Sequence, residues 1–315
     1  MANFAFRPAK REAVGLLMGL SGGTGSGKTF SALRLATVSA GSKPFAVIDT
    51  EGSRALHYAD QFKFHHGDLK PPFSPAAYIE AIKAADAAGY PVIVIDSMSH
   101  EWAGAGGVLE MYDAEYKKMG SRETCKMAAW IEPKLAHKAM VNRLLQVRAH
   151  LILCFRAEPK IEMVRDDKGN MQVQEKHGQT GIQGWFPICE KSLPFEMTAS
   201  FLLMSEAPGL PIPIKLQEQH RPLFPAGRKI DEEAGKRIAA WSARAPVVST
   251  SGPPPHVVRF HEARKMLGLR DVDAKKMLAE FGWKSSMEID PEKLDALIRR
   301  MELFAGAAPP AATVE

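Results

Sequence analysis

Cysteine is scarce in this chain: Cys125, Cys154 and Cys189 are its three, and no two of them form a C-x-x-C pair. That excludes a disulfide framework and a redox dithiol, and leaves each thiol an expected reduced, structural role. Histidine forms no H-E-x-x-H and no Cys/His ladder, although His65 and His66 are adjacent, so no zinc site is expected. No apolar run reaches the length of a membrane span, and MANFAFRPAKREA lacks the apolar centre of a secretion signal. A cytoplasmic location with no membrane partner is the expectation. Net charge is only +5, too little to imply a partner by itself. The dipeptide Asn-Lys does not occur at all, which removes a guanine-recognition element of the N-K-x-D type.

What is present is enough for a full core: 315 residues, 45% of them hydrophobic. From residue 14 short apolar runs alternate with amphipathic ones. AVGLLMGLSG, PFAVIDTE, YPVIVIDS and HLILCFRAE read as strands; TFSALRLATVSA and AAYIEAIKAADAAG read as helices between them. Strands apolar on both faces and separated by helices predict a mostly parallel sheet covered on both sides. After Glu158 the pattern changes to a hairpin, KIEMV and MQVQEK around RDDKGN, followed by strands SFLLM and PIPIKL and a helix that Asp231 can cap. A Pro-stiffened stretch then leads to a helical module. Its last helix is expected to start with Asp290 and Pro291 and to bury Leu294, Leu297, Ile298, Met301 and Phe304.

Gly22, Gly23, Thr24, Gly25, Ser26, Gly27, Lys28 and Thr29 spell GGTGSGKT, a match to G-x-x-x-x-G-K-[ST] placed where that motif has to be, after a strand and before a helix. The glycines let backbone N–H groups turn inward around a phosphate, and the helix adds its positive end. Lys28 then reaches the β- and γ-phosphates, and Thr29 holds Mg2+. VIVIDS supplies the second metal-linked acid, Asp96, expected at the tip of a neighbouring strand, since a buried strand-end carboxylate needs a cation or donors facing it.

FAVIDTEGS also ends a strand on acids, Asp49 and Glu51. Read as D-x-x-G it would belong to a GTPase, but the missing Asn-Lys and the presence of VIVIDS argue against that. Ser97, not a glutamate, follows Asp96. Glu51 is therefore the candidate for aligning a hydrolytic water, with Glu101, five residues past Asp96, as its competitor. For Asp49 two roles stay open: shaping the strand end, or supporting the metal through water.

GGTGSGKT, AVIDTEG and VIVIDS, in that order, resemble the RecA-fold ATPases. More narrowly, IDTEGSRALHYADQF, PPFSPAAYIEAI, IDSMSHEWAGAGGVLE and HLILCFRAEPK resemble a phage or prophage ATP-binding family related to single-strand-annealing recombination ATPases. The similarity spans roughly residues 13–243. It implies an α/β RecA-like P-loop NTPase fold, ATP and Mg2+ as ligands, Glu51 as catalytic base and Tyr58, seven residues on, as the ring stacked on adenine. Arg156 stands where a polar residue senses the γ-phosphate. It also implies single-stranded DNA as partner and self-association. With the composition and periodicity read above, residues 1–245 are expected to form the ATPase core, 246–256 a linker, 257–305 a small helical module outside the resemblance and open to a single-strand-binding or other recombination protein, and 306–315 a disordered tail.

Charge gives mixed support for DNA. Between 117 and 148 eight basic residues face two acids, whereas from 156 to 191, where RecA-like proteins place a DNA loop, six basic residues meet six acids. In the module ten basic residues meet nine acidic ones, so protein contact suits it as well as DNA. Phe6 to Ala9, F-R-P-A, is similar to the F-x-x-A element through which such recombinases join a neighbour. Arg221 and Arg228 could offer an arginine to a neighbour's phosphate, and Trp102 and Trp130 read as packing residues.

Overall fold

The computed structural model describes residues 15–165, 171–175, 184–243 and 255–307. The F-R-P-A stretch, most of the RDDKGN and HGQTGIQG segments, most of the linker and nearly all of the tail lie outside them. The chain divides into two units, Met1–Val247 and Val248–Glu315.

In the first unit the strands are β1 (Leu17–Gly22), β2 (Phe45–Asp49), β3 (Phe64–Asp68), β4 (Val92–Asp96), β5 (His150–Pro159), β6 (Ile161–Arg165), β7 (Met171–Glu175), β8 (Trp185–Pro187), β9 (Ala199–Leu203) and β10 (Pro211–Leu216). Between them lie helices α1 (Lys28–Ser39), α2 (Pro75–Ala87), α3 (Ser99–Ala103), α4 (Val108–Lys118), α5 (Ile131–Gln146), α6 (Leu193–Glu196) and α7 (Glu232–Ala243). The main sheet runs β10-β9-β1-β5-β4-β2-β3 and is parallel except for β10, with β8 pairing antiparallel to the far end of β5. β6 and β7 form a separate hairpin.

The period of two along each strand divides the core. Met18, Leu20, Val47, Val94, Ile152, Cys154 and Phe201 meet α1 and α7 on one face, and Leu17, Ile48, Ile93, Ile95, Leu151 and Leu153 meet α2 and α5 on the other. α7 can lie close on α1 because Gly235 has no Cβ; one built there would stand 2.9 Å from the Leu35 carbonyl. Asp231 caps α7 as expected, accepting the Glu233 and Ala234 N–H groups at 3.1 and 3.2 Å.

Two departures from the sequence reading concern the sheet. β3 is an edge strand with a mostly exposed face, so FHHGD carries no apolar run that would announce it. And β4 is not next to β1: β5 lies between them. Hydrophobic runs identify strands but not their neighbours, and the lateral order is set by where the crossover helices pack.

His150 begins β5 as a buried neutral group. Its Nδ1 accepts the Leu16 N–H at 3.0 Å, and its Nε2 lies 3.1 Å from the Ser242 hydroxyl. Burial lowers its pKa from 6.5 to about 4. As pH falls below 6.5 the unfolded chain takes up a proton here that the folded chain refuses until about pH 4. Across that window the native state should lose up to about 3 kcal/mol, and above it both states are neutral and the effect vanishes. Urea midpoints against pH should therefore fall more steeply for the native chain than for His150→Gln; parallel curves would contradict this.

The second unit packs α8 (Pro255–Met266), α9 (Asp271–Glu280) and α10 (Leu294–Ala307) around Phe260, Met277, Leu278, Leu297 and Met301. Asp290 accepts the Glu292 N–H at 3.1 Å, capping a short 3-10 turn that precedes α10. Phe304, expected on the buried stripe, is 38% exposed: one turn past Met301 the helix has passed the small core.

Candidate functional site

The C-terminal ends of β1, β2, β4 and β5 open onto a cavity of about 570 Å³, lined among others by Gly22–Gly25, Lys28, Thr29, Glu51, Tyr58, Asp96 and Arg156. The loop over it takes its shape from its glycines. Gly25 and Gly27 have φ of +77° and +83°, the left-handed region a side chain resists. Ser26 is buried and donates its hydroxyl to the Gly23 carbonyl at 2.8 Å, while its own carbonyl accepts the Gly209 N–H at 3.1 Å. The Lys28 ammonium is folded back onto the loop, donating to the Gly23 carbonyl at 2.8 Å. Burial lowers its pKa, as suits a cation waiting for an anion.

The sequence places Asp96 on a strand neighbouring β1. β5 intervenes, yet the acid still meets Thr29, because α1 crosses above β5 and packs on β4 as well. The Thr29 hydroxyl donates to Asp96 Oδ2 at 2.5 Å. Burial pushes the Asp96 carboxyl up to about 6 against that hydrogen bond. A hydroxyl and a desolvated carboxylate converging on an open cavity are hard oxygen donors of the kind Mg2+ takes.

Asp49 and Glu51 part company. Asp49 is 1% exposed; its Oδ1 accepts the Glu51 N–H at 2.7 Å, and its Oδ2 accepts the Ala55 N–H at 2.8 Å with His66 Nε2 at 3.3 Å. Both oxygens are engaged in shaping the loop that presents Glu51. The Glu51 carboxylate faces the cavity and is gripped by Arg156, whose Nε and Nη2 donate at 3.0 and 2.8 Å. Burial, the largest single influence, works to raise the Glu51 carboxyl, but the Arg156 hydrogen bonds together with the charges of Arg156, His100 and Arg54 outweigh it and hold the group below its usual range. Glu101, the competitor, is buried elsewhere, 2.9 Å from His137 Nδ1, and does not line the cavity. Arg221 and Arg228 are exposed and outside it, Arg221 donating to Glu218 at 2.7 Å.

Residues 15–188 match the family model described as AAA domain. The chain belongs to the AAA-domain family. It thus carries a P-loop ATPase domain of AAA type, whose α/β fold and mostly parallel sheet are those described above. No curated protein matches it.

Around this AAA-type site Trp185, Thr50 and His100 gave no signal in the sequence. Trp185 on β8 lies against the phosphate loop, where a Cβ on Gly23 would come within 3.0 Å of its ring. His100 Nε2 lies 3.9 Å from Glu51 Oε1, and the Thr50 hydroxyl lies 2.8 Å from His100 Nδ1. Trp102 and Trp130 stack in parallel, centroids 6.0 Å apart, with Tyr112 4.2 Å beyond Trp130 and Lys134 5.7 Å over the Trp130 ring. Arg143, one of the basic residues of α5, is tied to Asp86 at 2.5 Å.

Proposed function

We propose that this chain is a Mg2+-dependent ATPase whose nucleotide cycle acts on single-stranded DNA in recombination or annealing of the phage type, working as an oligomer. The observation that carries the hydrolytic part is the convergence of Lys28, the Thr29–Asp96 pair and Glu51 on one cavity. The backbone N–H groups of the loop cradle the β-phosphate, the Lys28 ammonium leaves the Gly23 carbonyl for the phosphates, and Tyr58 on the cavity wall stacks on the adenine. Thr29 and Asp96 hold Mg2+, which when bound neutralises phosphate charge. Arg156 turns from Glu51 toward the γ-phosphate, freeing the carboxylate. Glu51 aligns a water whose oxygen bonds to the γ-phosphorus as the bond to the β-phosphate oxygen breaks, giving ADP and phosphate, with the water's proton passing to Glu51.

DNA is the partner suggested by α4, α5 and the loop between them, where exposed Lys117, Lys118, Lys126, Lys134 and Lys138 flank the half-buried rings of Tyr112 and Trp130. ATP turnover with and without single-stranded DNA tests the reading. No stimulation together with no salt-sensitive DNA binding would replace it by an ATP-switched assembly factor. Changing those five lysines to alanine should weaken DNA binding and flatten its salt dependence, by roughly 0.7 on a log–log plot for each phosphate no longer neutralised. An unchanged slope would place DNA on another face.

A further inference from the structure

With Arg156 drawn to a phosphate, the Glu51 carboxylate needs another group to hold its aim. Arg54 Nη1 lies 3.6 Å from Oε2, but its side chain is 75% exposed and so a weakly fixed, solvent-screened partner. His100, on α3, is held at two points. Its ring stacks on Phe73 with centroids 4.9 Å apart and 23° between planes, and its Nδ1 is 2.8 Å from the Thr50 hydroxyl. Thr50 is itself fixed, accepting the Ser97 N–H at 2.8 Å. These contacts set both the plane and the rotation of the imidazole, and they leave Nε2 facing Glu51 Oε1 at 3.9 Å.

We propose that His100 is the positioning residue of Glu51, its Nε2–H taking over the carboxylate when Arg156 departs and keeping the base aimed at the attacking water. This rests on the ATPase reading above. The Thr50 hydroxyl has one proton and two acceptors in reach, Ser97 O at 3.0 Å and His100 Nδ1. Ser97 O already accepts the Tyr78 hydroxyl at 2.8 Å. Donation by His100 to Glu51 requires the tautomer in which Thr50 gives its proton to Nδ1 and the ring proton sits on Nε2. A carboxylate shift of about 1 Å closes the remaining gap to hydrogen-bond distance. Burial, with Arg156 alongside, holds the His100 pKa below its ordinary value. The cationic ring is thus disfavoured, and a neutral N–H donor lowers the carboxylate's basicity less than a second guanidinium would.

His100→Phe keeps a ring against Phe73 and removes both nitrogens, whereas His100→Gln restores an N–H donor. ATP turnover and equilibrium nucleotide affinity should be measured for both, alone and in the Glu51→Gln background. In His100→Phe kcat is expected to fall roughly ten- to a hundredfold, the scale of a base misplaced by about 1 Å. Nucleotide affinity should stay within about twofold. His100→Gln should recover part of the rate, and the double variant should be no slower than Glu51→Gln. Native turnover in His100→Phe overturns the proposal. So do equal losses in both His100 variants, or a further loss on top of Glu51→Gln. If the native protein binds ATP without turning it over, the ATPase reading itself fails, a result visible before any variant is made.

Discussion

Glu51→Gln is expected to bind ATP and turn it over about a thousandfold more slowly than the native chain, within the range a general base contributes. The amide preserves the size of the side chain and one acceptor oxygen, so the loop held by Asp49 through the Glu51 N–H should keep its shape. What is lost is a group able to take a proton from water. The Arg156 pair adds a second consequence. In the ligand-free protein both Glu51 oxygens accept from Arg156, and ATP must compete with that charge-assisted contact. Weakening it releases the guanidinium for phosphate, so the variant should bind ATP at least as tightly as the native protein. Binding titration beside steady-state turnover checks both halves; normal turnover would assign the base to another group.

Lys28→Ala should act on the other axis and weaken ATP binding by roughly 2–5 kcal/mol, the usual cost of deleting one partner of a desolvated charge pair. Among the described residues the ammonium hydrogen-bonds within its own loop, to the Gly23 carbonyl at 2.8 Å and the Ser26 hydroxyl at 3.4 Å. Burial already disfavours its charge. Removing it should therefore leave thermal stability unchanged or slightly raised while nucleotide binding collapses. Calorimetric titration alongside a melting curve separates the two effects. A variant that still binds ATP within a few-fold of the native affinity would mean that the phosphates lie elsewhere.

The parts of the site fixed by local chemistry could be read from the sequence. GGTGSGKT announces itself because backbone N–H groups converge on a phosphate only with glycines at set spacings, and VIVIDS because an acid ending an apolar run is costly without a partner. The parts that depend on lateral order could not. Nothing in HLILCFR says that it separates the phosphate-loop strand from the Asp96 strand, and FHHGD lacks the apolar period of a strand because its face is open to water. In FAVIDTEGS the sequence singles out Glu51 as the candidate base but leaves two roles open for Asp49. The two acids are told apart by the inward turn of one carboxylate onto Glu51 and Ala55 N–H groups and by the outward path of the other. Thr50 and His100 carry no motif, since their roles come from contacts between the ends of different strands and α3.

The position of β1 between β5 and β9 has a further consequence for how the protein is made. Leu16 bonds to a residue 134 positions later in the chain, and Leu17 to one 181 positions later. The strand that leads into the phosphate loop thus leaves the ribosome well before both of its neighbours, β5 and β9, and waits for them to be synthesised before its two edges are paired. Closing such long loops is slow and leaves apolar edges open meanwhile. Nucleotide capture is therefore expected late in biogenesis, once the sheet that carries the phosphate loop has closed.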